Sequence, residues 1–296
     1  MASQSWSYRV FFFFNCVILV SLSLLCILPF IHILAVSLSG NGPTQANEVG
    51  LWPVEFTTRP YEHVLSTGQF TRAFGVSVRR VLLGVAVQLI LIILLAYPLS
   101  KEARNFRGRN VYTWIVVFTM LFNGGIIPMY ILMKQLGLFD SVWALVFGGG
   151  WGAVPVFLTV LMLNFFRQLP KELDEAATTD GAGEWMKMLR VYLPLSLPSL
   201  MTVTMFLIVY HWNSWFDGLI YMTDTKNYPL QTYLRVEINR INNPPQNMDE
   251  SVVERKVSQR AAVAAQLVIA MLPITAVYPF IQQYFKEGIV LGSVKG

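Results

Sequence analysis

The sequence predicts an all-α, polytopic membrane protein with six transmembrane helices and one cytoplasmic helix held between the fourth and fifth. Three observations carry that prediction. Of 296 residues, 54% are hydrophobic and only 13% are charged, where soluble domains carry about 25%. Six windows, residues 10–38, 81–100, 111–133, 141–166, 191–216 and 261–284, contain no Asp, Glu, Lys or Arg. Each reaches the length of about 20 residues that a helix needs to cross about 30 Å of hydrocarbon. One such window can be the buried helix of a large soluble core. Six leave too little polar surface to coat a globule. The third observation is "ELDEAATTDGAGEWMKMLRVYLP", Glu172 to Pro194, a charged and glycine-punctuated stretch between two of these windows.

The chain is read as one membrane domain, 1–296, with spans at about 10–38, 78–100, 111–133, 141–166, 191–222 and 261–284. The first window is too long for the core of a signal peptide, about 7–15 residues, and only Arg9 precedes it. It is taken as an uncleaved span. Cys16 and Cys26 lie inside it, about 15 Å of helix apart, which excludes a disulfide between them. No His or Cys spacing offers metal ligands.

Loop charges set the orientation. With Arg79 and Arg80 assigned to the first loop, Lys and Arg divide evenly, eleven on each side. Short loops weigh most. "KEARNFRGRN" holds four basic residues and "KQLGLFD" one, which places loops two and four and both termini in the cytoplasm. The long fifth loop, 223–260, is then external. The net charge of +5 belongs to the loops of a membrane protein and implies no nucleic-acid partner. Prolines 29, 128, 155, 194, 198, 273 and 279 fall in or at the ends of spans, where each frees a carbonyl that the bundle must satisfy again.

The charged stretch, in loop 167–194, begins as a short helix. Pro170 stands at its start, Glu172, Asp174 and Glu175 sit at the positive end of the helix dipole, and Gly181 supplies a stop. Leu173, Ala176, Ala177 and Asp180 follow i, i+3, i+4, i+7, an inward stripe of mostly small side chains that lets another backbone approach closely. Trp185, Met188, Leu189 and Tyr192 then begin a second amphipathic segment suited to the bilayer boundary. Such an element serves either as a docking site for a partner beneath the membrane or as a solvated loop.

"EAATTDGAGEWMKMLRVYLP" resembles the EAA signature of bacterial ABC importer permeases: Glu-Ala-Ala, three residues, Gly, nine residues, Ile, one residue, Leu-Pro. The matching positions are Glu175, Ala176, Ala177, Gly181, Val191, Leu193 and Pro194, with Val191 for Ile the one departure. "AFGVSVRRVLLG", "LFNGGIIPMYILMKQLGL", "HWNSWFDGLIYM", "YPLQTYL" and "YFKEGIVLGSVKG" are similar to carbohydrate permeases related to the maltose permease, nearest the branch that carries oligosaccharides such as aldouronates and alginate. The resemblance implies a type I importer fold and a coupling helix that docks in a groove of the ATPase. It also implies a second permease subunit, two ATPase subunits that bind ATP and Mg, an extracytoplasmic solute-binding protein, and an oligosaccharide as substrate in a lipid membrane.

The absences fit that implication. No phosphate-cradling loop, HExxH or GxSxG occurs, so neither catalysis nor a cofactor is expected in this chain. The alternative of an ion-gradient-driven secondary transporter needs intramembrane carboxylates, and the six windows hold none. Sugar-binding groups are densest in "YHWNSWFDG". Asn213 and Asp217 share a helix face, and Trp212 and Trp215 can stack on sugar rings or form an interfacial belt. Asn123 and Asn164 are further candidates, because an amide in lipid needs a partner.

Overall fold

A computed structural model describes residues 6–242, 259–277 and 279, except 103, 105 and 123. Among the described residues, fourteen α-helices follow in order. They are α1 (Trp6–Ser37), α2 (Asn41–Gln45), α3 (Arg59–Ser66), α4 (Gly68–Ser100), α5 (Arg109–Leu121), α6 (Ile126–Gln135) and α7 (Val142–Phe147). After these come α8 (Val156–Gln168), α9 (Lys171–Thr179), α10 (Glu184–Leu195), α11 (Leu197–Asn213), α12 (Phe216–Tyr221), α13 (Leu230–Asn242) and α14 (Gln259–Val277). No strand occurs among the described residues. The terminal "YFKEGIVLGSVKG" and residues 243–258 of the fifth loop lie outside them.

Two compact units result. One comprises residues up to Phe70 with those between Val236 and Leu272. In it the α1–α3 connection is closed by polar contacts: Ser39 Oγ donates to Ala35 O at 2.7 Å and accepts from Val54 N–H at 3.1 Å, while Ser37 Oγ meets Tyr61 OH at 2.7 Å. Phe11–Phe14 and most apolar side chains up to Leu34 on α1 are exposed. For a helix this apolar such exposure is stable against lipid and not against water.

The other unit comprises Thr71–Arg235 with the residues after Leu272. Its main core joins Ile92, Ala96 and Tyr97 of α4 to Leu158, Met162 and Phe166 of α8, Met188 and Tyr192 of α10, and Val203 and Leu207 of α11. A second cluster packs Met133, Ala144 and Leu145 against Tyr221 and Met222.

Among the described residues three helices, α1, α4 and α14, are long and apolar enough to cross a membrane unbroken. The other predicted spans are interrupted, each at a glycine or proline cluster. Span 111–133 divides into α5 and α6, where Gly125 takes φ +90° and ψ 178°, a conformation that a side chain strongly disfavours. Span 141–166 divides at "GGGWGAVP", leaving α7 with six residues and α8 with thirteen. Span 191–222 contains α10 and α11, which meet at Ser196 with an 82° bend between Pro194 and Pro198, followed by α12. Charge-free windows register hydrophobicity. They do not register the missing N–H of proline or the backbone freedom of glycine, which decide where the helix stops.

One boundary also moves outward. The helix of the second span begins at Gly68, so Arg72, Arg79 and Arg80 are helical residues and not members of a loop.

Candidate functional site

Two sites occupy the Thr71–Arg235 unit, and α4 runs between them. The first is a cavity of about 1040 Å³ formed by the end of α5, the Gly148–Gly152 turn, the C-terminal half of α11 and α12. The ring of Trp151 stacks on Tyr210 with centroids 4.0 Å apart and planes 6° apart. Tyr210 OH accepts from Trp151 N–H at 3.2 Å. The glycines make this approach possible. A Cβ on Gly149 would stand 2.4 Å from the Tyr210 hydroxyl oxygen, and one on Gly148 would stand 2.6 Å from the Tyr221 ring.

Behind the cavity wall lies a network that charge-counting in the sequence missed. Arg80 is fully buried. Its Nη1 donates to Asp217 Oδ1 at 3.1 Å and to Ser214 O at 3.3 Å, and its Nη2 donates to Asp217 Oδ2 and, at 3.1 Å, to Leu145 O. Arg80 Nε points at His211 Nδ1, 3.5 Å away. A guanidinium can only donate, so His211 Nδ1 accepts and its Nε2–H donates to Gln88 Oε1 at 2.9 Å. Gln88 Nε2 in turn donates to Val146 O and Gly152 O. A charge is tolerated at this depth because it is paired and every donor is used. Arg80, Gly84 and Gln88 fall on one face of α4 at four-residue spacing, and a Cβ on Gly84 would overlap the His211 ring. That spacing was the available signal. A charge-free window that begins at Val81 excludes Arg80 and so hides it.

Of the path residues read from the sequence, the cavity lining includes Asn213, Trp215 and Asp217. Asp217 reaches it as the buried partner of Arg80 and is the one charged group in the described lining. Trp212 is buried edge-on against Phe74 at 5.6 Å and does not line the cavity. Asn164 is exposed on α8 and Asn123 lies outside the described residues. Trp151 and Tyr210 were not singled out. The signal for Trp151 was its place directly after the only run of three glycines in the chain, and nothing of the kind marks Tyr210.

The second site surrounds α9. Ala182 N–H donates to Ala177 O at 2.9 Å and Gly181 N–H to Thr178 O at 3.0 Å. This pair of bonds is a Schellman cap around Gly181 at φ +78°. No residue of α9 is buried. Glu175 and Ala176 are exposed and Ala177 is half-buried. The expected inward stripe therefore does not face the body of this chain, and Leu173 is 41% exposed. The physical reason is Asp174, whose carboxylate is drawn to Lys101 at 2.7 Å and turns the opposite face outward.

A second correction concerns α10. Trp185 and Leu189 are exposed, whereas Met188 and Tyr192 are buried in the main core. A π turn at Met188–Tyr192 shifts the register there, just before Pro194, which has no N–H to continue the ladder. Val191 and Leu193 rest partly buried on the same core, and Pro194 is exposed.

Lys101 follows the last residue of α4 and is 9% exposed. Besides Asp174, its Nζ meets Tyr192 OH at 3.2 Å and Glu184 Oε2 at 3.5 Å, and lies over the rings of Tyr97 and Tyr192 at 4.5 and 4.3 Å. Tyr97 OH donates to Glu184 Oε2 at 2.8 Å, and Lys187 Nζ reaches Glu184 Oε1 at 2.9 Å. Burial opposes the charge on Lys101, but the hydrogen bonds to Asp174 and the two tyrosines outweigh it and raise its pKa. Burial likewise opposes ionisation of Glu184, and hydrogen bonds from Lys187 and Tyr97 outweigh it and lower its pKa. Both groups stay charged. Arg109 Nη1 and Arg167 Nη2 close the carbonyls of Lys101 and Leu99 at 3.0 and 3.2 Å. Among the described residues no group of His, Cys, Asp and Glu is placed to hold a metal ion.

Broken apolar helices around a polar-edged cavity, with an exposed capped helix held on a charged cluster, define a membrane-embedded transport subunit. The chain belongs to the family of binding-protein-dependent transport system inner membrane components, whose signature matches residues 88–290. It is 38% identical to Protein LplC of Bacillus subtilis (strain 168), over 97% of this chain and 96% of that one. It is 36% identical to the polygalacturonan/rhamnogalacturonan transport system permease protein YtcP of the same organism, over 94% and 96%. Among solved structures it is similar to a bacterial ABC transporter involved in the import of the acidic polysaccharide alginate. There the TM-score is 0.85 at 31% identity, covering 96% of this chain and all of the other.

Proposed function

We propose that this chain is the non-catalytic permease subunit of an ATP-driven ABC importer for an oligosaccharide, an acidic one by analogy with its relatives. The observation that carries the reading is the Trp151–Tyr210 aromatic pair beside Asn213 in one cavity. Aromatic faces take up the C–H faces of a sugar ring, and an amide bonds its hydroxyls in a space where either group alone would be poorly solvated. The polygalacturonan/rhamnogalacturonan permease and the alginate importer support an acidic glycan. Asp217 adds no repulsion toward it, because Arg80 neutralises that carboxylate.

ATP and Mg are then bound by two partner ATPase subunits docked on α9. A second permease chain completes the pathway, and an extracytoplasmic binding protein delivers the sugar. Loop 167–194 and both termini face the cytoplasm. The exposed face of α9, with Glu175, Ala176, Ala177 and Gly181, is the surface available to a helix-in-groove contact.

Uptake of oligogalacturonate by proteoliposomes containing the whole complex tests this reading. Trp151→Ala should lower uptake about tenfold, the effect of roughly 1.4 kcal/mol of lost stacking. Asn213→Leu should impair it while leaving assembly intact, and Trp212→Phe should change little. Uptake unaffected by both Trp151→Ala and Asn213→Leu would remove the cavity from the path.

A further inference from the structure

The four groups around Lys101 come from three different helices. Asp174 is on α9, Glu184 and Tyr192 are on α10, and Tyr97 is in the last turn of α4. Lys101 thus holds both limbs of the exposed loop from a single point. The same helix that ends at Lys101 carries Arg80, 21 residues earlier and about 30 Å along its axis. Arg80 grips Leu145 on α7, Ser214 after α11 and Asp217 on α12, three parts of the cavity's surroundings. One uninterrupted helix therefore joins two multidentate cations, Arg80 within it on the cavity wall and Lys101 just past its end on the loop.

We infer that Lys101 is a positioning residue that ties the α9–α10 loop to α4, so that a displacement of α9 reaches the cavity wall through Arg80. The inference rests on the reading of α9 as the site where ATPase subunits dock. Lys101 suits the role better than an apolar contact would. An ammonium on a flexible stem can keep hydrogen bonds and ring contacts while its partners shift. A packed methyl group loses its contacts when a gap of 0.5–1 Å opens.

The test uses the whole complex in proteoliposomes and measures sugar taken up per ATP hydrolysed, a ratio that mere loss of folded complex does not move. Lys101→Met should lower this ratio roughly tenfold, within the usual span of a coupling free energy. Lys101→Arg, which keeps the cation but holds its partners with a planar fork, should restore only part of it. Tyr192→Phe removes one hydroxyl, with its long hydrogen bonds from Lys101 at 3.2 Å and to Asp174 at 3.3 Å, and should lower the ratio about twofold. A ratio unchanged in Lys101→Met overturns the inference. So does failure of Lys101→Met to assemble combined with an unchanged ratio in Tyr192→Phe. Wild-type uptake that needs no ATP overturns the ATP-driven reading itself, a result distinct from wild-type uptake that needs ATP and is kept at full yield by Lys101→Met.

Discussion

Arg80 and Lys101 are two buried cations joined by one helix, Arg80 within it and Lys101 just past its end, and they are held in opposite ways. Arg80 spends its donors on one carboxylate, two carbonyls and an imidazole, all of them buried except the half-buried Ser214 carbonyl. Lys101 has one short carboxylate contact, a phenol and two ring faces, and its acid partners reach solvent: the Asp174 side chain is 20% exposed and that of Glu184 61%. A planar guanidinium with a filled fork fixes the geometry around it. An ammonium among half-solvated partners permits several geometries of similar energy. The difference separates a wall meant to keep its shape from a joint that can move.

The sharpest way to break that comparison is to neutralise one acid in each cluster. Asp217→Asn preserves volume but leaves Arg80 buried without its counter-charge, at a cost of about 3–5 kcal/mol. Asp174→Asn should cost about 1 kcal/mol, because its surroundings are partly wet and Lys101 keeps Glu184 nearby. Thermal unfolding of the purified complex in detergent should show a large loss of Tm for the first and a small one for the second. Equal losses would mean that both clusters are rigid scaffolding.

Next in size are substitutions on the exposed side of the joint. Ala177→Arg should leave the chain inserted in the membrane but abolish co-purification of ATPase subunits, since a long charged side chain prevents close approach to the face α9 leaves uncovered. Gly181→Val should act in the same direction by straining the left-handed cap at φ +78°, a conformation that costs a β-branched residue roughly 1–3 kcal/mol. Lys171→Ala removes an ion pair to Glu102 whose two side chains are both exposed and should serve as the silent control. Full ATPase recovery with Ala177→Arg would reduce α9 to a solvated loop.

The smallest expected effect is that of pH on the joint. The lowered Glu184 contributes stability that is present above its ordinary value, about 4.3, and lost as pH falls through the folded value. The raised Lys101 contributes stability that is present below about 10.4 and lost as pH rises through its folded value. Anisotropy of a fluorescent label at Thr179 should therefore stay flat between those limits and fall only beyond them. A transition near neutral pH would show that the cluster is not held by these charges.

How much of this was legible depends on the distance over which each feature is decided. The start, the acidic first turn and the glycine stop of α9 are local, and Lys171–Thr179 with its cap at Gly181 follows from residues within a few positions of one another. The outward turn of Ala176, with Ala177 half-buried beside it, is not local. Helical spacing names a stripe but not the side that faces the body, and Asp174 settles that through a lysine 73 residues away. Met188 and Tyr192 were displaced from the expected membrane-boundary face by one π turn, a change of register that amphipathic spacing cannot anticipate.

By itself the sequence determined that this chain is helical and membrane-embedded, where its apolar windows run and where its charged helix begins and stops, because hydrophobicity and capping act through neighbours along the chain. Only the tertiary structure decided that Arg80 is part of a wall and not of a loop, that Asp217 is its partner, and that Trp151 meets Tyr210 across a glycine turn. Those pairs lie 137 and 59 residues apart in sequence. Their energies arise from desolvation and close approach, which exist only after the helices have packed.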